Sequence, residues 1–270
     1  MSEHNYTYTD ENLSLDQASS YNLLLQVEAK SFNYLITHQK QILAWAENCS
    51  LEELTNPHQL KDVLTSDYNR IIVGLSSTGF TLMPLSLFDK DRVADIARLL
   101  DVHNTEKVYT QTLDAQNAIV YKVDDNLTQA IANVDAESVN HKAKGWITAI
   151  ANGNPDDSSL YLNLANEKVQ FVYFNNGNLR FYNIFSFSNY EELAYYTAFV
   201  ANELNLDPAH ITLILSGDIN KTDKYFTYLA DFFGTVKLSD LHVLDFPVQL
   251  ESHKLLTLAA LSLCASSEEN

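Results

Sequence analysis

Residues 160–185, LYLNLANEKVQFVYFNNGNLRFYNIF, decide the fold predicted for this chain. Apolar residues alternate with other residues over 160–164, and two further apolar stretches, 169–174 and 179–185, flank Asn175-Asn176-Gly177-Asn178. An Asn-Gly pair between apolar strands is a strong hairpin signal, because both residues at the turn must accept a positive φ. The stretch therefore predicts a meander of three antiparallel strands.

The residues after this meander predict a helix, a buried strand and a second helix. Residues 190–204 have helical spacing, residues 211–215 are apolar enough for a strand buried on both faces, and residues 225–233 form a second helix that stops at Gly234. The apolar stripe of the first of these helices comprises Leu193, Tyr196, Val200 and Leu204. A last apolar segment over 253–264 is predicted to be helical.

The N-terminal half repeats this order, which indicates an internal duplication. Leu23-Leu24-Leu25-Gln26-Val27 matches Leu160-Tyr161-Leu162-Asn163-Leu164 in pattern, and two more strands follow it. A short helix over 58–65 leads to the apolar strand Ile71-Ile72-Val73-Gly74-Leu75-Ser76, which we align with Ile211–Ser216. Two unrelated α/β domains are the alternative, since meander, helix and strand is a common order.

Three antiparallel strands, a helix, a parallel strand and a helix make up the ribonuclease H-like unit. The predicted fold class is therefore α/β, with two tandem ribonuclease H-like domains in the actin-like ATPase architecture. The loop Asn152-Gly153-Asn154-Pro155-Asp156-Asp157 is the strongest break in the chain. We expect a flexible tail over 1–19, a first domain over 20–153 and a second over 154–270.

A family resemblance supports this fold. Gly177-Asn178-Leu179-Arg180-Phe181-Tyr182-Asn183, followed by Glu191-Glu192-Leu193-Ala194-Tyr195-Tyr196, resembles an uncharacterised bacterial family of domain-of-unknown-function proteins. The resemblance covers most of the chain beyond the tail and implies a degenerate actin-like fold. Because its motifs are structural rather than catalytic, it implies no activity.

The net charge of −18 limits the partners that the chain can bind. Such a charge repels phosphate backbones and anionic membrane surfaces, so neither nucleic acid nor a membrane is an expected partner. Two cysteines far apart in sequence do not form a disulfide framework, and no stretch is apolar for long enough to span a bilayer. We therefore expect a cytoplasmic protein whose partner is another protein or a second copy of itself.

An actin-like ATPase needs an Asp-x-Gly at the end of the first strand of each half, and paired glycines near the adenosine. In this chain Gln26-Val27-Glu28 and Asn163-Leu164-Ala165 fall at the two phosphate turns, and Ser216-Gly217-Asp218 keeps one glycine of the pair. The amides of Gln26 and Asn163 are weak ligands for Mg²⁺, Glu28 would repel phosphate, and Ala165 replaces the second turn glycine. Shifting the alignment by one or two residues restores neither Asp-x-Gly.

Other chemistries find little support in the sequence. A ribonuclease H-type nuclease needs carboxylates that converge on two metals, and Gln26 occupies the place of its first acid. The stretch Gly74-Leu75-Ser76-Ser77-Thr78-Gly79 resembles a nucleophile elbow but has one residue too many before the second glycine, so we interpret it as a strand end and a turn. No His-x-x-x-His or Cys-x-x-Cys spacing indicates a metal site.

The sequence thus predicts no catalytic residue, no metal and no cofactor. The favoured hypothesis is a non-enzymatic scaffold or protein-interaction module that has lost its nucleotide site. The alternative is a nucleotide-binding actin-like ATPase or switch of the division, pilus-assembly or sugar-kinase type.

Overall fold

The computed structural model describes residues 6–264, which form two compact units. The first unit contains the described residues up to Thr148, together with Val243–Val248 and the described residues from Thr257 onward. The second contains Ala149–His242 and Gln249–Leu256. The units therefore divide just before the loop that we chose from the sequence, and the end of the chain returns to the first unit. A Cβ at Gly145 would lie 2.3 Å from the carbonyl oxygen of Ala260, so the returning segment packs directly on the first unit.

The described residues contain fourteen strands and eight α-helices. The strands are β1 (Tyr6–Thr9), β2 (Asn22–Val27), β3 (Ser31–His38), β4 (Gln41–Ser50), β5 (Arg70–Leu75), β6 (Gly79–Pro84), β7 (Glu106–Thr112), β8 (Asn117–Asp124), β9 (Ser138–His141), β10 (Ser159–Ala165), β11 (Lys168–Asn175), β12 (Asn178–Ser186), β13 (Thr212–Gly217) and β14 (Thr235–Leu238). The helices are α1 (Glu52–Thr55), α2 (Lys61–Leu64), α3 (Val93–Ala97), α4 (Asp125–Ala130), α5 (Ala143–Asn152), α6 (Tyr190–Glu203), α7 (Lys224–Ala230) and α8 (Ser252–Ala259). Within the described residues, no helix is long and apolar enough to cross a membrane.

The main sheet of the first unit has the strand order β1-β4-β3-β2-β5-β9. Strands β2, β3 and β4 form the predicted antiparallel meander, and β5 and β9 continue the sheet in parallel. Five of the six residues of β2 are buried, as expected for a central strand between apolar layers. The predicted helix over 58–65 is shorter than expected and is represented by α2.

The predicted flexible tail is instead structured from Tyr6 onward. Strand β1 pairs antiparallel with β4, with Thr9 opposite Ala44 and Tyr8 opposite Trp45. Residues 15–20 then form a 3₁₀ helix that leads into β2. Strand β1 is too short and too polar for its pairing with β4 to be predicted from hydrophobic periodicity. The rest of the predicted tail, 1–5, lies outside the described residues.

A separate three-stranded antiparallel sheet is inserted between β5 and β9, in the order β6-β8-β7. The apolar pattern of this region did not reveal β6 or β9, which are short or only partly buried. Helix α4 directly follows β8, and its N-cap is Asp124. The Asp124 carboxylate accepts the backbone N–H of Asn126 at 2.8 Å, which is the usual N-cap bond.

The sheet of the second unit has the order β12-β11-β10-β13-β14. Its hairpin between β11 and β12 has positive φ at both Asn176 (50°) and Gly177 (71°), so the predicted Asn-Gly turn is confirmed. Helices α6 and α7 cover one face of the sheet. Residues 242–246 form no strand and contribute an isolated bridge between Gln41 and Asp245.

Five strands of the first sheet, in the order β4-β3-β2-β5-β9, correspond one to one with the strands of the second sheet, in the order β12-β11-β10-β13-β14. Both are the ribonuclease H-like arrangement that the sequence predicts. The register corrects our alignment of the halves, because Gly74 lies opposite Gln26 and Ser216 lies opposite Asn163. Gly74 rather than Ser76 therefore corresponds to Ser216. This shift of two residues keeps every side chain on its face of the sheet, so the apolar pattern could not reveal it.

Candidate functional site

The first candidate position is the carboxyl end of β2, where Gln26 and Glu28 lie. Gln26 is the last but one residue of the strand, is buried, and donates from Nε2 to Glu28 Oε1 at 3.1 Å. Glu28 begins the turn to β3, and its backbone N–H donates to the carbonyl of Ser31 at 2.9 Å. The structure thus brings these two predicted residues together in one hydrogen-bonded pair.

Two residues distant in sequence complete this group. The Lys142 ammonium donates to both carboxylate oxygens of Glu28, at 2.8 and 3.1 Å, and the Thr257 hydroxyl donates to Gln26 Oε1 at 3.2 Å. Both ends of the amide and both oxygens of the carboxylate are therefore engaged by the protein. The side chains of Lys142 and Glu28 are only 16% and 18% exposed. The cation that could attract a phosphate is thus committed to a carboxylate.

We refer to Gln26, Glu28, Lys142 and Thr257 as the β2 network. The sequence pattern gave no indication that Lys142 and Thr257 belong to this group. Lys142 directly follows β9, which the sequence did not reveal, and Thr257 lies in α8 near the end of the chain. Neither has a local signal, because both reach Gln26 and Glu28 only through the sheet order and the return of the chain to the first unit.

A serine and a histidine lie near this network at the ends of β5 and β9. His141 is fully buried, and its Nε2 lies 3.1 Å from the Ser77 hydroxyl, while its Nδ1 accepts the backbone N–H of Ala143 at 3.4 Å. The ring proton is then on Nε2 and points to Ser77, which is the wrong tautomer for a general base. Burial, and next the charge of Lys142, lower the pKa of His141 to about 3.

The chain around this serine does not form a nucleophile elbow. That motif requires a strand, a sharp turn and a helix. Here β5 ends at Leu75 and the next element, from Gly79, is the strand β6. The interpretation of this stretch as a strand end and a turn is confirmed.

The corresponding position in the second unit is the carboxyl end of β10. Asn163 is buried, and Ser216 on the neighbouring strand donates from its hydroxyl to Asn163 Oδ1 at 3.1 Å and to the carbonyl of Leu162 at 3.2 Å. The structure brings these two predicted residues into direct contact. The Asn163 side-chain oxygen is thus engaged by the protein below the surface, as buried polar atoms usually are.

Gly217 is held in place by the backbone of β10. Its φ is +84°, and a Cβ there would lie 2.0 Å from the carbonyl oxygen of Leu164. The same carbonyl accepts the N–H of Asp218 at 2.7 Å. The packing of two strands therefore requires this glycine whether or not a ligand binds.

Ala165 ends β10 and is half-buried. It leads into a two-residue turn, Asn166-Glu167, in which both residues have positive φ, at 51° and 57°. The turn is thus made by two bulky residues, one of them a carboxylate, at the point where the nucleotide-binding members of the fold need a glycine. This hairpin can form without glycine, but its tip carries a negative charge.

Other features of the described residues offer no metal or thiol chemistry. No group of three or more His, Cys, Asp or Glu side chains in this part of the chain could hold a metal ion. Both cysteines are unpaired and buried, and burial raises the pKa of each to about 11. A cavity of about 550 Å³ lies at the beginning of β5, the opposite end of that strand from the β2 network, and is lined in part by Tyr68, Arg70 and Glu137.

Comparison with known proteins places this geometry in a family and a fold. A family described as "Protein of unknown function (DUF3822)" matches residues 10–236. No curated protein matches the chain. A Bacteroides thetaiotaomicron protein with actin-like ATPase fold and unknown function is similar in structure, with a TM-score of 0.78 and 18% identity over 93% of this chain and 99% of that one.

Two further solved structures are similar. A chain of a PilM–PilN type IV pilus biogenesis complex has a TM-score of 0.63 at 12% identity, over 90% of this chain and 98% of its own. Ethanolamine utilization protein EutJ from Carboxydothermus hydrogenoformans has a TM-score of 0.51 at 9% identity, over 90% and 89%. These likenesses establish the fold as actin-like ATPase, with its two ribonuclease H-like units. At such identities they establish nothing about activity.

Proposed function

This chain belongs to the DUF3822 family of proteins of unknown function, and from that premise we propose that it is a non-enzymatic scaffold or protein-interaction module. In this proposal the actin-like fold serves as a rigid platform. The strand ends that bind Mg-ATP in active ATPases of this fold do not bind Mg-ATP in this protein. The protein acts in the cytoplasm and binds another protein.

The observation that carries the proposal is the closed hydrogen bonding of the β2 network. A nucleotide phosphate at this strand end would have to displace Lys142 from Glu28 and leave a carboxylate facing it. The carboxylate and the phosphate repel each other, and the displaced ion pair loses contacts of 2.8 and 3.1 Å. Both effects oppose binding.

The second unit supports the proposal independently. Asn163 replaces the carboxylate that would position metal-bound water, and its Oδ1 is already occupied by the Ser216 hydroxyl at 3.1 Å. A neutral amide oxygen is a poor substitute for a carboxylate as a ligand of Mg²⁺, a hard cation. Glu167 adds a negative charge at the tip of the adjacent turn.

Once nucleotide, nucleic acid and anionic membranes are disfavoured, a protein is the class of partner that we expect. The net charge of −18 disfavours nucleic acid and anionic membranes, whereas it favours a basic protein surface. The fold is compatible with this role, since a chain of similar fold is part of the PilM–PilN complex.

The alternative is a nucleotide-dependent switch, which the retained Gly217 favours because a glycine near the adenosine is part of the active pattern. Thermal unfolding with and without Mg-ATP separates the two. A ligand at about 100 times its Kd stabilises the native state by about 2.7 kcal/mol, so a binder with millimolar nucleotide should melt several degrees higher.

We expect no shift with Mg-ATP or Mg-ADP, and no release of phosphate above the background of a protein-free control. A shift of several degrees with either nucleotide, absent with magnesium alone, would overturn the proposal in favour of the switch. Magnesium alone, and nucleotide with a chelator, are the controls for ion effects.

A further inference from the structure

Helix α6 carries an aromatic stripe between two carboxylates. Glu191, Tyr195, Phe199 and Glu203 follow one another at intervals of four residues, so they lie along one face of the helix. All four are exposed, Tyr195 to 65% and Phe199 to 44%. The helix contains no basic residue. The opposite face packs into the core through Leu193, Val200 and Ala201.

This stripe lies beside an open edge of the sheet. Strand β12 is the first strand in the order of the second sheet and pairs only with β11 among the described residues. Its residue Phe185 stacks on Tyr196 of α6, with ring centroids 4.9 Å apart, and touches Phe199 edge-on at 6.5 Å. A strand added to β12 would therefore place alternate side chains next to the stripe.

The backbone of β12 presents hydrogen-bonding groups to that edge. The N–H of Ile184 donates to the side-chain oxygen of Asn183 at 2.8 Å, so this N–H points away from β11, and an added strand would replace that local bond. Alternate residues of an edge strand aim both backbone groups outward. The corresponding edge in the first unit, on β4, is covered by β1. The second unit has no such cover among the described residues.

We propose that the edge of β12 and the stripe of α6 form a docking surface for an extended segment of a partner protein, which joins the sheet as an additional strand. The segment carries apolar side chains at alternate positions, which pack on Tyr195 and Phe199, and a Lys or Arg towards each end, which faces Glu191 and Glu203. This inference names the partner-binding surface of the proposed interaction module and therefore rests on that function.

Charge decides between a basic partner and a second copy of this chain. Two copies joined through their β12 edges would bring two acidic stripes together on molecules that each carry −18. A basic segment instead gains attraction at both ends of the stripe, and Lys or Arg can also lie on the faces of the two rings. Addition of a strand supplies affinity through the main chain, and the alternate side chains supply specificity.

Selection from a random peptide display library of about twelve residues tests the proposal without a known partner. We expect the peptides enriched on the wild-type protein to have apolar residues at alternate positions and basic residues near the ends. The best peptide is then synthesised with a fluorescent label, and its Kd is measured by fluorescence anisotropy. We expect the Kd for Tyr195→Glu/Phe199→Glu to be at least about tenfold higher than for the wild type, since loss of a central aromatic anchor costs that much or more. Both side chains are exposed in the free protein, so the variant should keep the wild-type fold, with a melting temperature a few degrees lower because Glu191, the two new glutamates and Glu203 repel one another at i,i+4 spacing.

A matched control and a backbone probe sharpen the test. Leu87→Glu/Leu99→Glu removes two other exposed apolar side chains, 72% and 77% exposed in the first unit, and should leave peptide binding unchanged. Methylation of single peptide nitrogens should weaken binding at every second position only, because half of the amides in an added strand point to β12.

Three results would each overturn the proposal: no peptide enriched on the wild type over Tyr195→Glu/Phe199→Glu, enriched peptides that are acidic, or a methylation pattern without period two. Dimers of the free protein that this variant dissociates would show that a second copy is the occupant. None of these results involves nucleotide, so they leave the proposed absence of Mg-ATP binding to its own test.

Discussion

Removal of the Lys142 ammonium should destabilise the first unit by about 2 kcal/mol. The side chains of Lys142 and Glu28 are each less than one-fifth exposed. Breaking a fully buried ion pair costs about 3–5 kcal/mol of stability, whereas a surface pair contributes about 0–1 kcal/mol, so an intermediate value is expected here. In Lys142→Met the Glu28 carboxylate keeps only the bond from Gln26 at 3.1 Å. The stem of the methionine retains most of the packing, so the loss is mainly electrostatic.

Urea unfolding followed by tryptophan fluorescence measures this loss in the correct unit. Trp45 and Trp146 are the two tryptophans of the chain, and both belong to the first unit. With a slope of about 2–3 kcal/mol per M, the midpoint should fall by roughly 0.7–1 M. Glu28→Gln should cost about 1 kcal/mol, and the double variant should cost about 1 kcal/mol less than the sum of the singles, because the pair is coupled.

The control for this cycle is Lys107→Met, which removes a surface pair with Asp125 at 3.5 Å, where the lysine is 57% exposed. We expect that change to cost less than about 0.5 kcal/mol. Equal losses for Lys142→Met and Lys107→Met, or coupling of Lys142 with Glu28 below about 0.3 kcal/mol, would refute the reasoning. The β2 network would then be solvated and open to a ligand.

Gly217→Ala should destabilise the second unit by at least about 3 kcal/mol, because a Cβ there meets the Leu164 carbonyl oxygen at 2.0 Å. Gly177→Ala has a similar φ but open space around the Cβ, and should cost only about 1–2 kcal/mol. Unfolding in urea followed by far-UV circular dichroism measures both losses, and equal losses would mean that backbone strain alone decides the cost. Acid should act through His141, whose pKa is about 6.5 in the unfolded chain and about 3 in the folded one. The unfolded state therefore binds the proton first, and stability falls as the pH falls from 6.5 towards 3. Between about pH 7 and pH 4.5 the wild type should lose about 2–3 kcal/mol more than His141→Gln, and parallel pH profiles would contradict this.

The sequence predicted both meanders because each depends on local signals. The Asn176-Gly177 turn and the alternation over Leu160–Leu164 suffice to specify a hairpin and its register with the core. Strand β13 was recognised as an apolar run of the length of a buried strand. A chain that contains two such units in tandem is compatible with only a few known architectures.

Elements that depend on distant partners could not be predicted. Strand β9 has only four residues, and it is a strand because β5 offers it a parallel edge. Strand β1 likewise requires β4. The return of the chain to the first unit depends on contacts such as Ala260 with Gly145, which no periodicity records.

The candidate site shows the same division. Gln26, Glu28, Asn163, Ala165, Ser216 and Gly217 could be located from strand order, since each lies at or near a strand end. Their partners could not all be found this way. The sequence assigned Ser216 to the adenosine position and did not reveal its contact with Asn163. Lys142 reaches Glu28 from more than a hundred residues away, and only the folded chain reveals that the carboxylate is neutralised.

Isothermal titration calorimetry of the full-length protein with Mg-ATP tests the central claim most directly, because it detects a bound nucleotide whether or not hydrolysis follows. At protein concentrations that would resolve a Kd of about 1 mM, which corresponds to about −4.1 kcal/mol, we expect only the heat of dilution. A saturable isotherm with one nucleotide per chain, strengthened by Glu28→Gly, would contradict the account.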